Sequence, residues 1–313
     1  MGRHWREKQP GHPHAALYQR RVDVDGVGLC VRATRQPPPL YSAPLSHAST
    51  SRNPTQTPTD KGEPTPYSWP DINSHFGILD IAGFEKDRFW WYAAWFIPSK
   101  PLTFVLPHWN WNAGDNYPIW VYSNAAEVEL FVNDVSQGRK PSPQYGHVEF
   151  AAPFSPGSLR AVGYATPGDT TPVSAALVNT TGAPAALAIS IKDGVGATLL
   201  AGCSDVALVQ VFVVDKNGLV VPTANNTITF AVTGPAKLGG TGNGDPACHT
   251  NDKDPARPAF HGKVLAVVLG GSTEGQVQVT ASADGFDPVT VTIQQQAPQS
   301  VAPTWCYANN PRL

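Results

Sequence analysis

GEPTPYSWPDINSHFGILDIAGFEKDRFWWYAAW, residues Gly62–Trp95, packs aromatic rings, prolines and carboxylates more densely than any other part of the sequence, and its reading decides the fold. Within it, FGILDIAG (Phe76–Gly83) reads as a short apolar strand. The following EKDRFWWYAAWF offers Asp87 as an N-cap and Phe89, Trp90, Tyr92, Ala93 and Phe96 as a buried helical face, with Pro98 and Pro101 as stops. One strand feeding one helix is a βα unit, which cannot bury its own apolar surface and belongs to a larger sheet or barrel. The partner strands of such a barrel do not appear in the sequence.

Downstream the texture is that of sandwiches. In PIWVYSNAAEVELFVNDVSQGRK, Val128, Leu130 and Val132 alternate with Glu127, Glu129 and Phe131, the period of a half-buried strand, and NDVSQG supplies turn residues. VEFAAPF and SLRAVGYA continue as strands, and PVSAALVNTTGAPA reads as a strand and a linker. A second block places strands at Leu187–Ile191, Asp205–Asp215, Asn226–Val232, Lys263–Leu269, Gln276–Ala281 and Val289–Ile293, separated by KNG, TGPAK and ADGFDP turns, the spacing of an immunoglobulin-like sandwich. Residues 1–60 carry Pro-rich and Ser/Thr-rich runs with no hydrophobic period, which predicts disorder; the alternatives are a low-complexity tail or a damaged gene in which an intron or shifted frame is translated. The last residues read as an unstructured tail.

Lys and Arg number 22 against 24 Asp and Glu in 313 residues, and a net charge of -2 leaves no electrostatic footprint for nucleic acid or an anionic membrane surface. With 15% charged residues, 28 glycines and 31 prolines, the composition suits turn-rich β structure. Cys30, Cys203, Cys248 and Cys306 lie far apart without a C-x-x-C pair, which argues against a zinc site and leaves their redox state open. No stretch has the length of a signal-peptide core or a membrane span, so the chain as written is expected to be made in the cytosol; the sequons at Asn179 and Asn225 keep a secreted ancestor open.

GEPTPYSWPDINSHFGILDIAGFEKDRFWWYAAW resembles the end of the catalytic (β/α)8 barrel of family 2 glycoside hydrolases, the β-galactosidase-like group. VLPHWNW and IWVYSNAAEVELFVNDVSQGRK resemble the small β-domain that follows that barrel, and DVALVQVFVVDKNGLVVPTANNTITFAVTGPAKLGGTGNGDP with RPAFHGKVLAVV is similar to its C-terminal immunoglobulin-like domain. The resemblance covers about Gly62 to Ile293. It implies a mainly β chain: a disordered or unrelated segment (1–60), a remnant of the end of a (β/α)8 barrel (61–101), a small β-sandwich domain (102–185), a C-terminal immunoglobulin-like domain (186–295) and a tail (296–313). It further implies a carbohydrate partner, a β-galactoside or related glycan, and a two-carboxylate retaining reaction with no organic cofactor.

By the same resemblance GEPTPY lies just beyond the eighth barrel strand, at the face where barrel enzymes place their sites. Glu63, Tyr67 and Trp69 are therefore the candidate sugar-facing residues, whereas Trp90, Trp91, Tyr92 and Trp95 read as core. Retaining hydrolysis needs two carboxyl groups about 5–5.5 Å apart, which the family supplies from earlier barrel strands. Before Lys61 the acidic residues are Glu7, Asp23, Asp25 and Asp60, none in a matching setting, so no catalytic residue is assigned and the chain alone is expected to be inactive. Among Glu63, Asp71, Asp80, Glu85 and Asp87, Asp80 reads as a strand-end residue. GTGNGDPACHTNDKDP (Gly240–Pro255) reads as a glycine-rich turn with capping side chains rather than a calcium or phosphate loop, and His108 as a hydrogen-bonded loop residue; no metal site is assigned.

Two further expectations follow. An isolated barrel remnant would leave Phe89, Trp90 and Trp95 as an exposed apolar patch. In the alternative reading the chain is a non-catalytic carbohydrate-binding or scaffolding module, with Trp109, Trp111, Trp120 and Tyr122 as the stacking surface if those rings lie coplanar and exposed.

Overall fold

The computed structural model describes residues 21–24, 27–30, 69–72, 76–192, 197–202 and 205–297. It divides into two units, Met1–Gln56 and Thr57–Leu313. In the first, β1 (Arg21–Val24) and β2 (Val27–Cys30) form an antiparallel hairpin in register from Arg21↔Cys30 to Val24↔Val27. The sequence reading placed no element there. Asp25-Gly26, the pair between the strands in sequence, is a dipeptide favoured in two-residue hairpins.

In the second unit, one helix, α1 (Asp87–Phe96), precedes two immunoglobulin-like sandwiches. The first packs a three-stranded sheet, β3 (Thr103–Leu106), β4 (Asn116–Ser123) and β7 (Val148–Pro153), on a four-stranded one of order β6-β5-β8-β9. These four are β5 (Glu127–Val132), β6 (Val135–Pro141), β8 (Ser158–Tyr164) and β9 (Pro172–Asn179). Its core alternates as the sequence predicts: Val128, Leu130 and Val132 point inward to meet Ile119, Val121 and Phe150. The second sandwich pairs β10 (Ala186–Ile191), β12 (Val206–Val214), β16 (Lys263–Gly270) and β14 (Ala236–Gly242) in the order β10-β12-β16-β14. Facing them are β11 (Thr198–Leu200), β18 (Val289–Gln296), β17 (Gly275–Ser282), β13 (Thr227–Thr233) and β15 (Ala256–Pro258), in the order β11-β18-β17-β13-β15. Val209, Val211 and Val264 of one sheet close on Ile228, Val277 and Ile293 of the other.

The segment before α1 departs from the sequence reading. FGILDIAG is not a strand but a tight turn closed on Asp80, whose Oδ1 accepts the backbone N–H of Ala82 and Phe84 (both 2.9 Å); one isolated bridge, Leu79↔Glu85, is all that pairs. The N-cap of α1 is Lys86, whose side chain does not cap the helix, so Asp87 is the first helical residue, where its charge complements the helix dipole. Phe89, Ala93 and Ala94 are the buried helix positions, while Phe96 is 66% exposed.

Nor are Phe89, Trp90 and Trp95 an orphaned patch. Phe89 is 3% exposed, Trp90 stacks on Phe104 of β3 (5.2 Å, 11°), and Trp95 contacts Tyr145 (5.2 Å). Phe104 in turn faces Tyr122 of β4 (6.5 Å, 13°), so α1 lies on the outer face of the three-stranded sheet through a ladder of rings. The helix finds in the first sandwich the partners that a barrel sheet was expected to provide.

Candidate functional site

Residues 69–72 and 76–86 lie as a strap along the second sandwich. Ala82 and Phe84 sit on Leu208 and Leu265, on the outer face of the sheet containing β12 and β16. The Lys192 and Lys263 ammonium groups flank the Phe84 ring at 5.8 and 5.7 Å, and Lys192 bonds Glu85 (3.0 Å). A Cβ on Gly244 would collide with the Asp80 carboxylate, so glycine is what lets the β14–β15 loop close on the turn. Burial pushes the Asp80 carboxyl above its ordinary range, against the lowering by its two backbone N–H donors.

Of the three candidate sugar-facing residues, Glu63 and Tyr67 lie outside the described residues. Trp69 opens the strap: it is 59% exposed, with its ring beside His249 (4.4 Å, 42°) and a cis bond to Pro70. His249 Nε2 donates to the Pro70 carbonyl (2.9 Å), and Ile72 N–H donates to the Pro246 carbonyl (2.8 Å). The glycine-rich loop therefore positions Trp69, a role that its sequence, 179 residues away, does not signal. As expected of capping side chains, Asn243, Asp245 and Asn251 accept backbone N–H groups two residues on. Arg257, almost fully buried, ties the same loop through Asp252 (2.8 Å), the Thr250 carbonyl (3.2 Å) and Cys248 Sγ (3.4 Å). Among the described residues no group of three His, Cys, Asp or Glu side chains is placed to hold a metal.

Asn124 escaped the sequence reading. It accepts Leu102 N–H (2.8 Å) through Oδ1 and donates through Nδ2 to the carbonyls of Ala94 (3.1 Å) and Lys100 (2.8 Å), fastening the end of α1 to the first sandwich. Beside it, Thr103, Ser123 and Ser174 share a hydroxyl chain of 3.0 and 2.7 Å across the two sheets.

The four rings of the proposed stacking surface divide. Trp109 is 1% exposed, edge-on to Phe154 and donating Nε1–H to the Ser155 carbonyl (3.0 Å), and Tyr122 is buried under the ladder. Trp111 is half-buried between contacts with His108 (4.4 Å, 16°) and Tyr117 (4.1 Å), and Trp120 stacks on His147 (4.1 Å, 25°). His108 is a hydrogen-bonded loop residue, its Nδ1 accepting Asn110 N–H (3.3 Å). Two of the four rings are core, and each of the others already stacks on a neighbour.

Comparison with known proteins matches residues 195–292 to glycoside hydrolase family 2 C-terminal domain 5, and residues 114–171 to a domain of unknown function, DUF4982. The chain is 35% identical over 237 residues to the beta-galactosidase BoGH2A of Bacteroides ovatus, covering 75% of this chain and 27% of that protein. It is 32% identical over 227 residues to a beta-glucuronidase of Formosa agariphila, covering 72% of this chain and 22% of that protein. Among solved structures, a beta-glycosidase from Bacteroides vulgatus superposes with a TM-score of 0.67 at 29% identity, over 72% of this chain and 29% of that one. The chain thus spans about a quarter of the length of the curated relatives it matches. With both sandwiches matched in order and in shape, the chain belongs to glycoside hydrolase family 2, of which it carries the C-terminal β-domains.

Proposed function

We propose that the chain supplies the C-terminal β-domains of a retaining glycoside hydrolase acting on a β-galactoside or related glycoside, and that alone it hydrolyses none. What supports this is that the strap and α1, the segment whose sequence resembles the end of the catalytic barrel, are seated on both sandwiches. In this reading the acid and the nucleophile come from earlier barrel strands. Of the carboxylates in the strap, Glu85 is committed to Lys192 and Asp80 to two backbone N–H groups. Trp69 offers its open face to a sugar ring, and a two-carboxylate reaction needs no organic cofactor.

The relatives' names divide between beta-galactosidase and beta-glucuronidase, so the test uses chromogenic substrates of both kinds. The purified chain is expected to turn over neither, and measurable turnover of either sinks the proposal. Sequencing cDNA from upstream of Gly62 supplies the second arm. If barrel-encoding sequence precedes Gly62, the extended protein is expected to be active, and Trp69→Ala in it to lower kcat/KM about tenfold, equivalent to ~1.4 kcal/mol.

A further inference from the structure

A shallow, open groove of about 630 Å³, lined by polar side chains and one leucine, lies where the two sandwiches meet, within the size range of small-molecule sites. Its walls are the β5–β6 turn (Asn133, Asp134), Ser158 at the start of β8, Asn179 at the end of β9, and Asn217 from the loop after β12; Leu219 adds an apolar face. These walls are held by bonds that leave their outward groups unused. Asn133 Oδ1 accepts Ser158 N–H (2.8 Å) and its Nδ2 donates to the Pro156 carbonyl (3.1 Å). Thr180 N–H donates to the Gly157 carbonyl (2.8 Å), and its hydroxyl donates to the Trp109 carbonyl (2.7 Å) while accepting Gly157 N–H (3.1 Å). Asp215 links the two sandwiches beneath: Oδ2 accepts Gly182 N–H (2.9 Å), and Oδ1 accepts the N–H of Asn217 (2.8 Å) and Leu219 (3.0 Å).

Among the described residues, the Asn179 amide and the Ser158 hydroxyl have no partner, and Asn217 gives its amide only a 3.4 Å contact with Asp215. Asp134 meets Arg160 only at 3.4 Å and is otherwise solvent-facing. Two amides, a hydroxyl and a carboxylate offer donors and acceptors side by side, which is what vicinal hydroxyls require. No lysine lines the groove to hold a phosphate, no aromatic slot takes a nucleobase, and the exposed carboxylate disfavours an anion. Because the backbone of the walls is already pinned, the ordering cost on binding falls on the few free side chains.

We infer that this groove is a binding site for a neutral oligosaccharide, separate from the Trp69 region and shared by the two sandwiches. The choice of a saccharide rests on the glycosidase reading above. The test titrates the full chain with cellotetraose, with β-1,4-galactotetraose and with tetragalacturonate as the anionic counterpart, following side-chain amide resonances. At least one neutral tetrasaccharide is expected to saturate below about 10 mM, with shifts at Asn179 and Asn217. Asn179→Ala and Asn217→Ala should each weaken it about tenfold at an unchanged melting temperature, and tetragalacturonate should bind more weakly. Saturation by none of the three, tighter binding of the anion, or binding that shifts Trp69 and leaves the groove amides unmoved would each overturn the assignment. Turnover by a barrel-extended chain without groove binding refutes the groove alone, and groove binding with no turnover by that extended chain refutes the catalytic reading alone.

Discussion

Gly163 of β8 sits where a Cβ has no room: one would lie 2.6 Å from both the Ser174 and Thr103 hydroxyls and 2.9 Å from the Ala125 methyl. Gly163→Ala must spread the hydroxyl chain that joins the two sheets, and is expected to cost about 1–3 kcal/mol, read as a lower melting temperature. Asn124→Ala strips three backbone groups of their partner at once and should cost a similar ~1–3 kcal/mol. Asn124→Asp should be worse, because it turns a carboxylate toward the Ala94 and Lys100 carbonyls. His108 carries a pH dependence. Burial, and secondarily the nearby His261, holds its pKa below the ordinary histidine value, and protonation would forfeit the bond that Nδ1 accepts from Asn110. With the folded pKa lowered, the unfolded chain binds the proton first. Stability is therefore full above about pH 6.5 and falls as the pH drops through the folded pKa. His108→Gln is expected to flatten that slope in melts between about pH 5 and 7.5.

At the scale of elements, α1 and the strap should separate by face. Phe96→Ser is expected to leave stability within about 0.5 kcal/mol, whereas Phe89→Ala on the same helix should cost about 3–5 kcal/mol. Phe84→Ala removes the centre of the small Leu208–Leu265 cluster, so amide exchange over residues 80–86 should accelerate while β12 and β16 stay protected. Equal loss of protection in both would show that the strap is part of the sandwich core. The sequence made elements legible where one face is buried: β5 and β12 alternate or run apolar because a second sheet covers them. β6 reads as turn residues because nearly all of it is exposed at a sheet edge, and β14 because its glycines admit close neighbours, the Leu269 side chain at Gly239 and the Asp252 carbonyl at Gly240. FGILDIAG misleads in the opposite sense, since its Ala82, with the Phe84 that follows, is apolar for a seat on the second sandwich rather than for pairing. Trp69 stands out in sequence as an aromatic among prolines, but His249 does not, because no local pattern registers a contact across such a distance.

For the whole molecule, Asp215 is the titratable joint. Its hydrogen bonds from the backbone, that of Gly182 first, hold its carboxyl below the ordinary carboxylate range. The folded pKa being depressed, its contribution is present above the unfolded carboxylate pKa and is lost as the pH falls through the folded one. Asp215→Asn is expected to lower the melting temperature at neutral pH and to reduce its fall on acidification, with melting curves from about pH 3 to 7 as the check. The strap also sets an order of events in time. Glu85 meets Lys192 across 107 residues, and the seat of Phe84 includes Leu265. On a chain emerging from its N-terminus, α1 can settle on the first sandwich once β7 has appeared, while Phe84 waits for β16. Through that interval the nascent chain carries a strap fastened at one end only. The last stretch of synthesis, not the first, decides when Trp69 comes to rest beside His249.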